Sequence, residues 1–220
     1  MLNKAAKALQ SASETRALLI GQNILNRVPD MFAEQFPGQK AIIVADDNTY
    51  AAAGFATSNL LRNAGITQEN PYVFYDKDLH ADFTHVEQLE KALFQANAIP
   101  VAVGSGTIND ITKLAAHRIN RQYMCVATAA SMDGYTAFGA SIIHRGNKQT
   151  FTCPAPQAVL ADIEIIRNAP AELTASGYAD LFAKIPAGAD WILADELGIE
   201  VIEPTAWSIV QDGLQDALWQ

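Results

Sequence analysis

The chain has 220 residues, 50% hydrophobic and 18% charged, a mix that excludes disorder and low complexity and can supply a real core. Its 15 Lys and Arg against 24 Asp and Glu give a net charge of −9. That balance argues against nucleic acid or an anionic membrane as a partner, because phosphate contacts need clustered cations. A small anionic substrate, which needs only a few local donors, stays open.

In chain order, the opening MLNKAAKALQSASETR lacks the apolar core of a secretory signal. No apolar run approaches the ~18 residues of a membrane helix, so the expected location is cytoplasmic. AIIVAD (41–46) reads as a buried strand, followed by a helix rich in Ala and Leu with Gly65 as its C-cap. PYVFYD (71–76) is a second strand. Residues 84–98 carry Val86, Leu89, Leu93 and Phe94 at helical spacing. IPVAVGSG (99–106) is a third strand running into a glycine turn. A helix over 108–120 and a strand YMCVAT (123–128) follow.

Three strand–helix–strand units predict a parallel sheet with helices on both faces, in preference to a mixed α+β sheet. ASIIHRG and KQTFTC flank Gly146-Asn147, a hairpin turn, and QAVLADIEII is a last strand entering a helix. From Pro170 onward only helices are expected, over 170–197 and 204–219. These carry apolar stripes too extensive for about 55 residues to bury alone. Either a continuation of the chain or another subunit is expected to cover them. The two cysteines, Cys125 and Cys153, read as buried structural thiols rather than a disulfide framework.

The chemistry-bearing residues cluster after strands. Gly104-Ser105-Gly106-Thr107 lies between an apolar strand and a helix, where small residues and free N–H groups suit a pyrophosphate. A tight turn capped by Thr107 fits equally well, since the six-position dinucleotide fingerprint is incomplete. Asp46, ending its strand, can accept from ribose hydroxyls, while Asp47 or Asn48 would cap the helix. Thr128 to Tyr135 follows the next strand and is expected to face the same crevice, with Thr128, Ser131 and Asp133 as its polar groups. Asp180 reads from its position as an ordinary acid in the first turn of a helix. His80, His85, His117 and His144 read as surface or packing residues.

VAVGSGTINDITKLAA, VATAASMDGYTAFGASI, VLADIEIIRNAP and ASGYADLFAKIPAGADW, in this order, resemble the bacterial glycerol-1-phosphate dehydrogenase family. That family sits within the iron-containing alcohol dehydrogenase and glycerol dehydrogenase superfamily. SMDGY with GSGTIND sets it apart from the long-chain alcohol dehydrogenases. The resemblance implies an α/β fold: a parallel-sheet dinucleotide-binding domain (1–165) followed by the start of an all-helical domain (166–220). It implies reduction of dihydroxyacetone phosphate to sn-glycerol 1-phosphate with NADH or NADPH and a divalent metal (Zn, Ni or Fe); the uncovered apolar stripes point separately to a homo-oligomer. Gly104, Ser105, Gly106 and Thr107 match the pyrophosphate loop, with Asp110 in the same motif, and Asp46 the ribose-facing acid. Thr128 and Ser131 match the nicotinamide loop, Asp133 the catalytic acid that touches substrate, and Asp180 a metal ligand. Lys113 is a candidate for the substrate's phosphate. The family's two metal-binding histidines have no counterpart, since no His follows His144. The chain is therefore expected to be incomplete, to hold no metal tightly and to turn over negligibly. A dehydroquinate-synthase-like lyase and a non-catalytic nucleotide-binding module are the rival readings.

Overall fold

The β-branched, near-continuous apolar runs do pair into one sheet in the computed structural model, which describes residues 2–219. The chain runs α1 (Leu2–Ser11), β1 (Ala17–Gly21), α2 (Val28–Gln35), β2 (Ala41–Asp46), α3 (Asp47–Thr49) and α4 (Phe55–Asn63). It continues through β3 (Tyr72–Phe74), α5 (Phe83–Ala96), β4 (Ile99–Gly104), α6 (Gly106–Arg118) and β5 (Met124–Ala127). A hairpin of β6 (Ala140–His144) and β7 (Asn147–Phe151) precedes β8 (Ala158–Asp162) and α7 (Ile163–Arg167). Four helices close it: α8 (Ala171–Phe182), α9 (Lys184–Glu196), α10 (Pro204–Gln211) and α11 (Leu214–Leu218).

Six strands form a wholly parallel sheet in the order β1-β8-β5-β4-β2-β3. Successive strand residues face opposite sides, which divides the core in two. Ile42, Val44, Ala102, Cys125 and Val159 pack with α5 and α6. Ile43, Val101, Val103, Val126 and Leu160 pack with Val28 and Phe32 of α2 and Leu61 of α4. The fold is α/β with the sheet covered on both faces, followed by helices. No described helix is long and apolar enough to cross a membrane.

Several boundaries differ from the sequence-based expectation for identifiable reasons. β1 and α2 lie outside the expected pattern; β1 is an edge strand, pairing with β8 alone, and the run is short. The hairpin turn is Arg145-Gly146, both at positive φ (54° and 77°), as a two-residue mirror-image turn requires. Residues 170–197 form two helices because Pro186 lacks an N–H and its ring opposes the carbonyl of Phe182, the last residue of α8. The final helix is interrupted at Gly213, φ 82°. The apolar stripes of this segment are half covered. Trp191 and Trp207 pack with tilted rings, centroids 5.9 Å apart, and Leu214 and Leu218 are buried, whereas Leu193, Leu197, Ile199 and Val201 are exposed. Lys4 of α1 reaches this layer, donating to Ser208 O (3.2 Å) and pairing with Asp212 (3.3 Å).

At the carboxyl end of the sheet, Asp162 is almost fully buried and its carboxylate accepts from four backbone N–H groups. These are Asn23 (3.0 Å), Ile24 (2.8 Å) and Leu25 (3.0 Å) after β1, and Glu164 (3.0 Å) at the start of α7. Asn23 takes a left-handed conformation, φ 55°, to present its N–H.

Asp162→Ala leaves those donors without their acceptor, and a buried orphaned donor costs about 1–3 kcal/mol. A loss of at least about 2 kcal/mol is expected, read as a lower urea midpoint at unchanged slope. Cys125 and Cys153 are both buried and free, and burial pushes their thiols up to about 12 and about 11. Neither should react with a disulfide reagent at pH 8 until the protein is unfolded in urea, because only the thiolate attacks. Rapid native labelling would contradict this burial.

Candidate functional site

Strands that run in one direction end on one edge, and the chain's polar loops collect there. A cleft of about 1210 Å³ opens along that edge. Its wall includes Asn23 after β1, Asp46 to Thr49 after β2, Tyr75 to Lys77 after β3, and Ser105 and Thr107 after β4. Thr128 and Ala129 after β5, and Asp162 and Glu164 after β8, complete it. The strand order reverses here: β2 is followed by β3 on its outer side, and then by β4 on its inner side. Such a switch point is where open α/β sheets bind ligands.

Of the residues singled out in the sequence, Asp46, Ser105, Thr107 and Thr128 line this cleft. Asp46 itself caps α3, accepting from Thr49 N at 2.9 Å, while the Thr49 hydroxyl accepts from Asp46 N. The cap is thus Asp46, one residue before the expected Asp47 or Asn48. The bond uses Oδ1, and Oδ2 has no hydrogen-bond partner among the described residues. Ser105 is the N-cap of α6 but gives no side-chain cap bond, so the first N–H groups of that helix are offered to the cleft edge. Gly104 is required sterically: a Cβ there would lie 2.5 Å from Ile108 Cβ. Gly106 has more room, with Met132 Sδ at 3.2 Å.

Two expected roles are corrected. Lys113, the candidate for the substrate's phosphate, is 1% exposed and donates to Ala137 O (2.8 Å) and Gly139 O (2.9 Å). It is spent on the backbone of the chain leading into β6. Asp110 does not line the cleft; its carboxylate accepts from Ser141 N at 3.0 Å and lies 4.0 Å from Lys113. Burial pushes the Asp110 carboxyl up, and the Ser141 N–H and the Lys113 charge pull it back down. Both residues pin the chain leading into β6, and neither lines the cleft.

That loop forms a second cluster, with α8 packed across it. Ser176 Oγ donates to Ser131 O (3.2 Å), Asp133 N donates to Asp180 Oδ2 (2.9 Å), and Lys184 pairs with Asp133 Oδ2 at 2.7 Å. Between these contacts, a Cβ on Gly177 would fall 1.8 Å from Ala130 O. Asp180 lies near the end of α8, not in its first turn, so the dipole reading of it fails. The pair with Asp133 raises the Lys184 ammonium above its ordinary value. Pro170 and Leu173 of the same region line the large cleft, so α8 joins the two clusters.

Among the described residues, no three His, Cys, Asp or Glu side chains form a metal-holding group. Beside Asp180 stands Asp133, already paired with Lys184. One carboxylate is a poor site for Zn or Ni, and the donor set present does not fit a resident transition metal. Two histidines pack, and His80 and His117 are exposed. His85 lies against Phe74 at 5.7 Å with Asp76 at 3.7 Å, and His144 lies 4.6 Å from Phe83. Sequence reading missed Asp162, although it ends VLAD as Asp46 ends AIIVAD. It also passed over Lys184, one turn beyond Asp180.

A model of the iron-containing alcohol dehydrogenase family matches residues 19–170. A Halalkalibacterium halodurans protein named glycerol-1-phosphate dehydrogenase [NAD(P)+] is 33% identical over 204 residues, 91% of this chain and 51% of that protein. The Bacillus subtilis protein of the same name is 32% identical over 199 residues, 90% of this chain and 50% of its own length. The chain spans about half the length of the curated relatives it matches. A putative alcohol dehydrogenase from Ralstonia eutropha superposes with a TM-score of 0.73 at 18% identity, over 94% of this chain and 56% of that one.

Gly177→Ala forces a methyl into the Ala130 carbonyl, and overpacking of this kind costs about 1–3 kcal/mol. A fall in thermal midpoint is expected, with Ser131 and Asp133 amide signals shifting most. An unchanged midpoint would show that α8 does not press on the loop.

Proposed function

The chain belongs to the iron-containing alcohol dehydrogenase family, and from that premise we propose that it is a glycerol-1-phosphate dehydrogenase-like oxidoreductase. In this reading it binds NAD(H) and acts on dihydroxyacetone phosphate. The observation that carries the reading is the cleft at the sheet's switch point, where Asp46, Ser105, Thr107 and Thr128 converge. Two similar proteins bear the name of that activity. A homo-oligomer and a boundary near residue 165 between an α/β domain and a helical one belong to the same reading.

The chain's own residues divide the work. The uncapped start of α6 offers N–H groups and the positive end of the helix to a pyrophosphate. Asp46 Oδ2 accepts from a ribose hydroxyl, which its cap bond through Oδ1 leaves possible. Thr128 lines the wall where the loop to Asp133 departs. A reduced nicotinamide held by these residues would supply a hydride to the ketone carbon, with solvent supplying the proton to the product oxygen. Asp133 accepts from a hydroxyl of the substrate and so orients it.

The cleft wall holds Asp46, Asp47, Asp76, Asp162 and Glu164 against Lys77. An extra ribose phosphate meets this negative field near Asp46 and Asp47, so NADH is favoured over NADPH.

Titration of NADH by fluorescence, with absorbance at the nicotinamide band after adding dihydroxyacetone phosphate, tests the reading. Asp46→Ala removes a charged hydrogen-bond acceptor worth about 1.5–3 kcal/mol. It should weaken NADH binding about tenfold or more and narrow the gap to NADPH. An unchanged dissociation constant would remove Asp46 from the site, and absence of NADH binding by the parent chain would overturn the proposal.

A further inference from the structure

The proposed substrate carries a phosphate, and a phosphate needs a cation. Lys113 cannot serve, being buried against two carbonyls. Lys77 lines the large cleft, but after β3. β3 is three strand positions from β5, from which the Asp133 loop departs, roughly 14 Å at ordinary strand spacing. Lys77 therefore leaves a strand end well apart from the one that carries Asp133. Lys184 remains, with its ammonium 2.7 Å from Asp133 Oδ2.

We propose that Lys184 is the cation that receives the phosphoryl group of the substrate, with Asp133 as its counter-ion until the substrate binds. The inference rests on the reading of the chain as a polyol-phosphate dehydrogenase. Asp133 is 56% exposed and Lys184 24% exposed in their side chains, so the pair is open to solvent. Ion pairs this open are weak, and a phosphate dianion offers the ammonium a stronger charge-assisted partner. The exchange frees the Asp133 carboxylate to accept from a substrate hydroxyl. Asp133 cannot drift during it, since its N–H is held by Asp180 Oδ2 at 2.9 Å. Three adjacent groups thus take distinct parts: Asp180 fixes the backbone, Asp133 takes a hydroxyl and Lys184 takes the phosphate.

The test compares the full chain with Lys184→Gln and Lys184→Arg, using dihydroxyacetone phosphate and unphosphorylated dihydroxyacetone. The Gln variant should raise KM for the phosphorylated ketone about tenfold or more. KM for dihydroxyacetone and the NADH dissociation constant should not move, and Arg should restore most of the loss. Thermal melts check that both variants fold. Equal weakening of both ketones would mean that Lys184 only braces the loop, and would overturn the proposal, as would an unchanged KM. If the parent chain gives no turnover, calorimetric titration with inorganic phosphate decides. Binding lost in the Gln variant supports the cation site, and the dehydrogenase reading then stands or falls on the NADH titration alone. Equal binding, or none in either protein, overturns the site.

Discussion

All six strands of the central sheet run in one direction, and the chemistry of the molecule follows from that constraint. A parallel strand must be followed by a return over the sheet, so every strand ends at the same edge and hands its chain to a loop or helix start there. The edge therefore gathers helix N-termini with unpaired N–H groups, which attract carboxylates and phosphates alike. The reversal of strand order between β2 and β4 parts the loops of these neighbours and leaves the cleft open between Asp46 and Ser105.

The fold fills one of these anion positions itself and leaves another open. At the end of β8, Asp162 inserts its own carboxylate among four N–H groups, closing β1 onto α7 with an internal anion. At the end of β4, the chain supplies Gly104, Ser105 and Gly106 instead, with no side chain capping α6. Two strand ends with the same electrostatic demand are thus satisfied differently. The one without an internal carboxylate has room for an external phosphate. Asp46 stands between these cases, with one oxygen spent on its own helix and the other without a partner among the described residues.

Much of this was legible in the sequence because burial on both faces of a parallel sheet leaves long apolar runs. AIIVAD, IPVAVG and YMCVAT needed no periodicity to be recognised, and glycines fixed the turns at Gly65 and Gly104. The edge strand ALLIG was not, because five residues beside polar neighbours look the same in a loop. The cleft residues Asp46, Ser105, Thr107 and Thr128 were found from position alone, since strand ends predict where ligands meet the sheet. Lys113 and Asp110 were misassigned because sequence shows a charge on a helix and not what the next loop does. The chain entering β6 turns back over α6 and consumes both. Lys184 was invisible for the opposite reason: its partner, Asp133, is 51 positions away, and no local pattern announces the pair.

The contact at Gly177 ties the two clusters together mechanically. With Ala130 O where a side chain would begin, α8 meets the loop backbone to backbone, and such a contact tolerates little sliding. Its position fixes how far Ser131 and Asp133 stand from Thr128, whose neighbours form the cleft wall. α8 is therefore held at a defined distance from the cleft edge that Ser105 and Thr107 line. Hydride transfer needs reacting atoms held about 3–3.5 Å apart. On the proposed reading, with the cofactor in the cleft and the substrate at Asp133, the close approach at Gly177 would help set that separation.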